Sequence, residues 1–215
     1  MNDLYEMGQK YGTDKVCHHG YQFFYPRYLE PLRGQKFTML EIGYQTGESA
    51  RMWEEYFPDA ELFAMDIGVS GRRGRHEVIQ GDQGNLEDLK RVAGMVGAAK
   101  LILDDGSHHP LHQFETFNFL FRNLLEPGGV YIIEDVECNY WKPDAAIYGY
   151  RIGFFSAIDA STGLIDLINS EFSGKQNDLG VSSITYGQNC IIVTKQTEDE
   201  RSYFSRDYRF ASQVK

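Results

Sequence analysis

Residues 103–110 read LDDGSHHP, two carboxylates and two imidazoles around a Gly-Ser turn, directly after the apolar run KLIL. Such groups can hold a metal ion, move a proton or simply face water at a turn. A second acidic pair, Glu134 and Asp135, closes the run VYII. If the two runs are neighbouring strands, about 4.8 Å apart, four carboxylates meet and repel one another. A divalent cation removes that conflict. Oxygen ligands with positions left for water or substrate suit Mg²⁺, or Mn²⁺ in its place. The expected ligands are Asp105, Glu134 and Asp135. Side chains alternate along a strand, so Asp104 points the other way, to touch a cofactor or cap a turn. After the Gly-Ser turn His108 can swing back over the metal as general base. His109 and His112 are expected at a helix entry. Zinc is disfavoured, because no cysteine joins the cluster.

The elements that must position these residues follow from hydrophobic period. FTMLEIG (37–43), ELFAMDI (61–67), HEVIQGD (76–82), KLILDD (100–105) and VYIIEDV (130–136) are short apolar runs that suit buried parallel strands. Helical patterns fall between them, at 47–57, 85–96 and 112–125. A long helical stretch is expected over 145–172. VSSITYG (181–187) and CIIVTKQ (190–196) then form an antiparallel hairpin at the sheet edge. This pattern predicts an α/β, Rossmann-like fold: a seven-stranded, mostly parallel sheet with a terminal hairpin, helices on both faces and right-handed crossovers. It is the architecture of class I methyltransferases.

In such sheets ligands bind at the carboxyl ends of the strands. LEIGYQTGES ends the first strand, where Gly43 and Gly47 bracket a tight turn that lets a ligand approach the backbone. Its GxxxG spacing differs from the GxGxxG of a dinucleotide loop. Glu41 suits a ligand bearing an ammonium and a sulfonium, and Ser49 opens the next helix. Asp66 can accept from a ribose diol. Asp82 and Gln83 can meet an adenine edge, with Asn85 capping the following helix. Three such endings in chain order read as an S-adenosylmethionine site, to which Asp104 is added.

Composition limits the partners. The chain has 215 residues and a formal net charge of −10, which disfavours a phosphate backbone, so no nucleic-acid partner is expected. The basic cluster Arg72, Arg73 and Arg75 reads as a solvated loop. No apolar run is long enough to span a bilayer, and the N-terminus lacks the form of a signal peptide. Cys17, Cys138 and Cys190 are too scattered for a disulfide framework and read as reduced thiols of a cytoplasmic protein. Residues 1–36 are expected as a helical lid, 37–196 as the catalytic domain and 197–215 as a tail. Tyr11, Asp14, Lys15, His19 and Tyr21 are candidates for gating. His19, Tyr21, Tyr140 and Trp141 are candidates for holding an acceptor, since aromatic faces suit sugar C–H groups and phenols alike. Whether the tail RSYFSRDYRF (201–210) docks on the domain or on a second subunit in a homo-oligomer is left open.

The blocks YGTDK (11–15), LEIGYQTGESARMWEEYFP (40–58), AMDIG (64–68), DDGSHH (104–109), LEPGGVYIIEDVECNYW (125–141) and SSITYGQNCIIVTK (182–195) together resemble the metal-dependent sugar O-methyltransferases of natural-product pathways, in particular the catalytic domain of the macrolide (mycinamicin-type) deoxysugar enzymes. The resemblance implies S-adenosylmethionine as donor, Mg²⁺, and a small-molecule acceptor that is a glycosylated natural product. It puts the family's metal ligands on Asp105, Glu134 and Asp135, its base on His108 and its cofactor acids on Glu41 and Asp66. Gln45, where many class I methyltransferases carry glycine, and VECNYW depart from the pattern. The alternatives are a catechol-type phenol O-methyltransferase, an NAD-dependent oxidoreductase on a similar sheet, and a non-catalytic binding member of the fold.

Overall fold

This computed structural model describes residues 3–204, apart from the side chain of Glu171. The part of the tail beyond residue 204 lies outside the described residues. The central strands are β1 (Thr38–Ile42), β2 (Glu61–Asp66), β3 (Gly71–Arg73), β4 (His76–Gln80), β5 (Ala99–Asp104) and β6 (Leu125–Glu134). A small hairpin, β7 (Ala146–Ile147) and β8 (Tyr150–Arg151), stands apart, and β9 (Val181–Gly187) and β10 (Cys190–Lys195) close the main sheet. The main sheet has 8 strands in the order β3-β4-β2-β1-β5-β6-β10-β9. Strands β4, β2, β1, β5 and β6 run parallel, and β10 and β9 pair antiparallel at the edge.

The additional strand is the basic cluster. Instead of a free loop, Arg72 and Arg73 pair antiparallel with β4. The Arg75 guanidinium donates to the carbonyls of Glu54, Phe57 and Ala60, tying down the end of the helix after β1. The expected helical stretch over 145–172 is also corrected. It begins with the β7–β8 hairpin, whose tip holds Tyr148 and Gly149 at φ 47° and 88°. Two left-handed residues in succession make the turn that matches the twist of a two-residue hairpin. Only short helices follow: α7 (Ala157–Thr162), α8 (Leu164–Ile168) and α9 (Ser170–Ser173).

Alternation along the strands builds two cores. Leu40, Ile42, Ile102, Tyr131 and Ile133 face α5 (Leu86–Val96) and α6 (Pro110–Asn123). Met39, Leu101, Leu103, Val130 and Ile132 face the other way. There they meet α4 (Glu48–Tyr56) and the N-terminal helices α1 (Asp3–Tyr11), α2 (Asp14–Cys17) and α3 (Pro26–Leu29). The N-terminal segment is therefore a packed layer. Tyr21, Tyr25 and Leu29 are fully buried, because the sheet face beneath them is apolar and must be covered. α10 (Glu198–Phe204) is the part of the tail that is described. Among the described residues no helix is long and apolar enough to cross a membrane, and all three cysteines are free thiols.

Candidate active site

Strand order reverses between β1 and β5, and the crevice at their carboxyl ends is where an open α/β sheet binds ligands. The end of β1 is laced to both neighbours: Gly43 N–H donates to Met65 O of β2 at 2.7 Å, and Asp105 N–H, just past β5, donates to Ile42 O at 2.9 Å. Gly43 has φ +94°, and a Cβ there would lie 2.0 Å from the Asp105 carbonyl oxygen. Only glycine lets β1 turn this close to β5. A cavity of about 740 Å³ opens at these strand ends. Its walls include Gly43, Ser49, Asp66, Asp82 and Gln83 at one end, and Asp105, His108, Asp135 and Trp141 at the other.

Three ligand atoms converge at the second end. His108 Nε2 lies 4.0 Å from Asp105 Oδ1 and 3.8 Å from Asp135 Oδ2, and one ligand atom from each of the three residues lies within 4.8 Å of the others. Each carboxylate is anchored by its other oxygen. The Lys15 ammonium donates to Asp105 Oδ2 at 2.6 Å. The Tyr21 hydroxyl and the Asn189 amide donate to Asp135 Oδ1 at 2.6 and 2.9 Å. Backbone shape completes the arrangement. Strand alternation alone would send Asp135 to the face opposite Glu134, but Asp135 and His108 both sit in the left-handed region, at φ 53°. Acidic and histidine residues tolerate that region better than most, and it brings the Asp135 carboxylate to Tyr21.

The convergent set is thus Asp105, His108 and Asp135, not the expected Asp105, Glu134 and Asp135. Glu134 follows strand alternation into the N-terminal layer. Lys15 donates to its Oε2 at 2.5 Å and the Tyr25 hydroxyl donates to its Oε1, so both oxygens are engaged away from the cavity. Glu41 behaves alike. It is fully buried, takes a hydrogen bond from Trp53 Nε1 at 3.1 Å and lies 3.5 Å from Lys15 Nζ. Burial pushes its carboxyl up, against the pull of Lys15. Burial alone would lower the Lys15 pKa, but Asp105, Glu134 and Glu41 outweigh it and hold it well above the ordinary value.

Other expectations are also revised. Asp104 faces the opposite core, as alternation demands, but does not reach the cavity. It accepts from Gln83 Nε2 at 2.6 Å and Tyr131 at 3.3 Å, and burial pushes its pKa up to about 7. Gln83 lines the cavity with its amide committed, since its oxygen accepts from Ser107 N–H at 2.7 Å. Gly47, at φ +82°, caps α4 and shapes the turn without lining the cavity. Tyr21 is fully buried and supports Asp135 instead of meeting an acceptor. Tyr140 is 79% exposed and lies outside the cavity, whereas Trp141, 42% exposed, lines it. His19 lines the cavity, with Nδ1 3.4 Å from Asp135 Oδ1. Asp14 also lines it, and Tyr11 hydrogen-bonds Glu55 away from the centre. Asn85 caps α5 as expected, and His109 stands at the entry of α6 with its Nε2 on the Arg151 carbonyl.

Sequence reasoning missed Asn189, Tyr148 and Tyr150. Asn189 sits in the β9–β10 turn at a left-handed φ of 59°, and the readable signal was its place in the GQN turn between the two strands. Tyr148 lines the cavity with its ring 5.8 Å from the His108 ring. The Tyr150 hydroxyl donates to both oxygens of Asp82 at 3.0 and 2.9 Å, which ties the small hairpin to the cavity wall.

Asp66 has a second task. Burial would raise its pKa, but N–H groups of Gln45, Gly68, Tyr44 and Val69 donate to it and hold its carboxyl below the usual range. A depressed carboxyl contributes stability that is complete above its unfolded pKa of about 3.9 and lost as pH falls through the folded value. Asp66→Asn is therefore expected to cost about 1–2 kcal/mol at neutral pH. It should also flatten the acid limb of the stability curve below about pH 4, as read by thermal denaturation across pH. An unchanged acid limb would mean the four donors do not act through charge.

No protein-family profile matches the chain. It is similar to the 8-demethyl-8-alpha-L-rhamnosyl tetracenomycin-C 2'-O-methyltransferase of Streptomyces olivaceus, 33% identical over 217 residues, covering 92% of this chain and 56% of that protein. It is also similar to the mycinamicin VI 2''-O-methyltransferase of Micromonospora griseorubida, 36% identical over 149 residues, covering 65% of this chain and 37% of that protein. Among solved structures, the MycE methyltransferase from the mycinamycin biosynthetic pathway, in complex with Mg, SAH and mycinamycin VI, superposes with TM-score 0.78 and 29% identity, covering 99% of this chain and 59% of that one. Fold and site together define a Rossmann-like class I methyltransferase. Within that class the chain belongs to the family of natural-product sugar O-methyltransferases, and it spans about half the length, or less, of the curated relatives it matches.

Proposed function

We infer that the chain carries the catalytic domain of an S-adenosylmethionine- and Mg²⁺-dependent O-methyltransferase acting on a hydroxyl of a natural-product sugar. The observation that carries this reading is the convergence of Asp105, His108 and Asp135 on one wall of a cavity that also takes in the glycine turn and Asp66. The residues fit both groups. Two carboxylate oxygens that approach one another, each carboxylate anchored by its other oxygen, make a donor set for a hard divalent ion, and the His108 Nε2 beside them is left to take a proton. Gly43 lines the cavity with bare backbone, which leaves room for the donor to approach. The relatives' substrates, a rhamnosyl and a mycinamicin methyl acceptor, support a glycosylated small molecule.

When bound, the divalent ion polarises the acceptor hydroxyl and S-adenosylmethionine supplies the methyl group. The chain's own residues do the rest. Asp105 and Asp135 hold the ion, and His108 takes the hydroxyl proton at Nε2. Gly43, Ser49 and Asp66 bound the donor end, with Asp82 and Gln83 beside the adenine. Trp141, Tyr148 and His19 wall the acceptor end, where positioning contributes several kcal/mol on the order of effective-molarity effects. The free thiols and the net charge of −10 support a cytoplasmic enzyme without a nucleic-acid partner.

Incubation with labelled donor and a panel of glycosylated and phenolic acceptors tests the reading. Transfer to a sugar hydroxyl, abolished by chelator and restored by Mg²⁺, is expected. Activity that continues unchanged in chelator would remove the ion from the reaction, and transfer only to catechols would change the acceptor class.

A further inference from the structure

Lys15 is 1% exposed, and its ammonium lies among three carboxylates, 2.5 Å from Glu134, 2.6 Å from Asp105 and 3.5 Å from Glu41. An ammonium has three N–H donors and no acceptor, and here three acidic side chains surround it. Two of those carboxylates are steered by further donors, Tyr25 on Glu134 and Trp53 on Glu41. The third, Asp105, has its Oδ2 on Lys15 and its Oδ1 toward His108. Lys15 therefore stands to Asp105 as Tyr21 and Asn189 stand to Asp135: it fixes one oxygen and thereby aims the other. It reaches the sheet from a layer that cannot easily move. A Cβ on Gly8 of α1 would lie 2.2 Å from Val16 Cγ2, so α1 and α2 are in close contact at the residue next to Lys15.

We propose that Lys15 is a positioning residue that acts as a built-in cation, holding Asp105 beside Glu134 and Glu41 so that the ion site is preformed before any ion arrives. The proposal rests on the reading of Asp105 and Asp135 as ion ligands. Without Lys15, Asp105, Glu134 and Glu41 are left buried together with no cation among them, and removing one partner of a buried charge cluster is strongly destabilising. A divalent ion at Asp105 then becomes the nearest compensating charge. An ion bound to the folded state stabilises both forms, but folding stability becomes more strongly ion-dependent in the variant, where the ion also replaces the missing charge.

The test is thermal denaturation of the native chain, Lys15→Met and Lys15→Met/Glu134→Gln, each in chelator and in saturating Mn²⁺, with Mn²⁺ binding followed by electron paramagnetic resonance. In chelator Lys15→Met is expected to lose roughly 10 °C. Mn²⁺ should recover at least half of that loss while raising the native protein much less. The double variant, with one buried carboxylate neutralised, should recover part of the loss in chelator. A drop of equal size with and without Mn²⁺ would show an ordinary structural lysine and overturn the proposal. So would a native protein whose Tm rises with Mn²⁺ as steeply as the variant's. If Lys15→Met does not fold in chelator, folding on addition of Mn²⁺ or in the double variant supports the proposal, and failure in both overturns it. Absence of Mn²⁺ binding to the native protein would instead sink the underlying ion site, a distinct result.

Discussion

Asp135→Asn is expected to lower methyl transfer by roughly a thousandfold, the several kcal/mol that a correctly held ion contributes to charge stabilisation. Affinity for S-adenosylhomocysteine should stay within about threefold, and isothermal calorimetry beside a turnover assay reads both quantities. The substitution is chosen for its small side effects. Asparagine tolerates the left-handed backbone at φ 53°, and its amide oxygen can still accept from Tyr21 and Asn189. What disappears is the charge on the oxygen that faces His108 Nε2 at 3.8 Å. The donor end of the cavity, built on Gly43 and Asp66, makes no use of Asp135. A variant that keeps turnover would remove Asp135 from the ion site. One that loses donor affinity equally would mean the two ends of the cavity are not separable.

Gly43→Ala should be the most damaging single methyl group in the molecule. The new carbon would stand 2.0 Å from a backbone oxygen of Asp105, and the backbone there has φ +94°. The strain of that conformation costs about 1–2 kcal/mol for an L side chain, and overpacking adds about 1–3 kcal/mol. Backbone cannot rotate out of the way as a side chain can, so β1 and β5 must separate beside the proposed ion and donor sites. A fall in Tm of roughly 10 °C is expected, together with loss of both Mn²⁺ and S-adenosylhomocysteine binding. Gly47→Ala is the control. Its new carbon would meet the Tyr44 hydroxyl at 2.8 Å, the movable end of a side chain, so its effect should be confined to strain in the turn. Equal losses in the two variants would mean that the close approach of Gly43 to Asp105, at the ends of β1 and β5, has no special role.

Much of this was legible in the chain itself. Apolar runs of strand length, each closed by an acid or a glycine, carry their own period, and the period states which face each side chain takes. That is why the sheet, the order of its acidic ends and the opposite orientation of Asp104 could be read locally, whereas the meeting of Asp105, His108 and Asp135 took the left-handed backbone at His108 and Asp135. The small hairpin was hidden because two strands of two residues each are too short to show a period. Its one signal was a Tyr-Gly pair at the turn.

The tertiary structure alone decided which charges compensate which. Glu41 and Glu134 carry the sequence marks of ligands, yet alternation turns both into the N-terminal layer. There they meet a lysine separated from Glu134 by 119 positions and from Asp105 by 90. Strand period acts within a few residues, so sequence can say that an acid ends a strand and which side it faces. A counter-charge is a contact between distant segments. It exists only once the apolar face of the sheet has drawn the N-terminal helices over it and carried Lys15 into place.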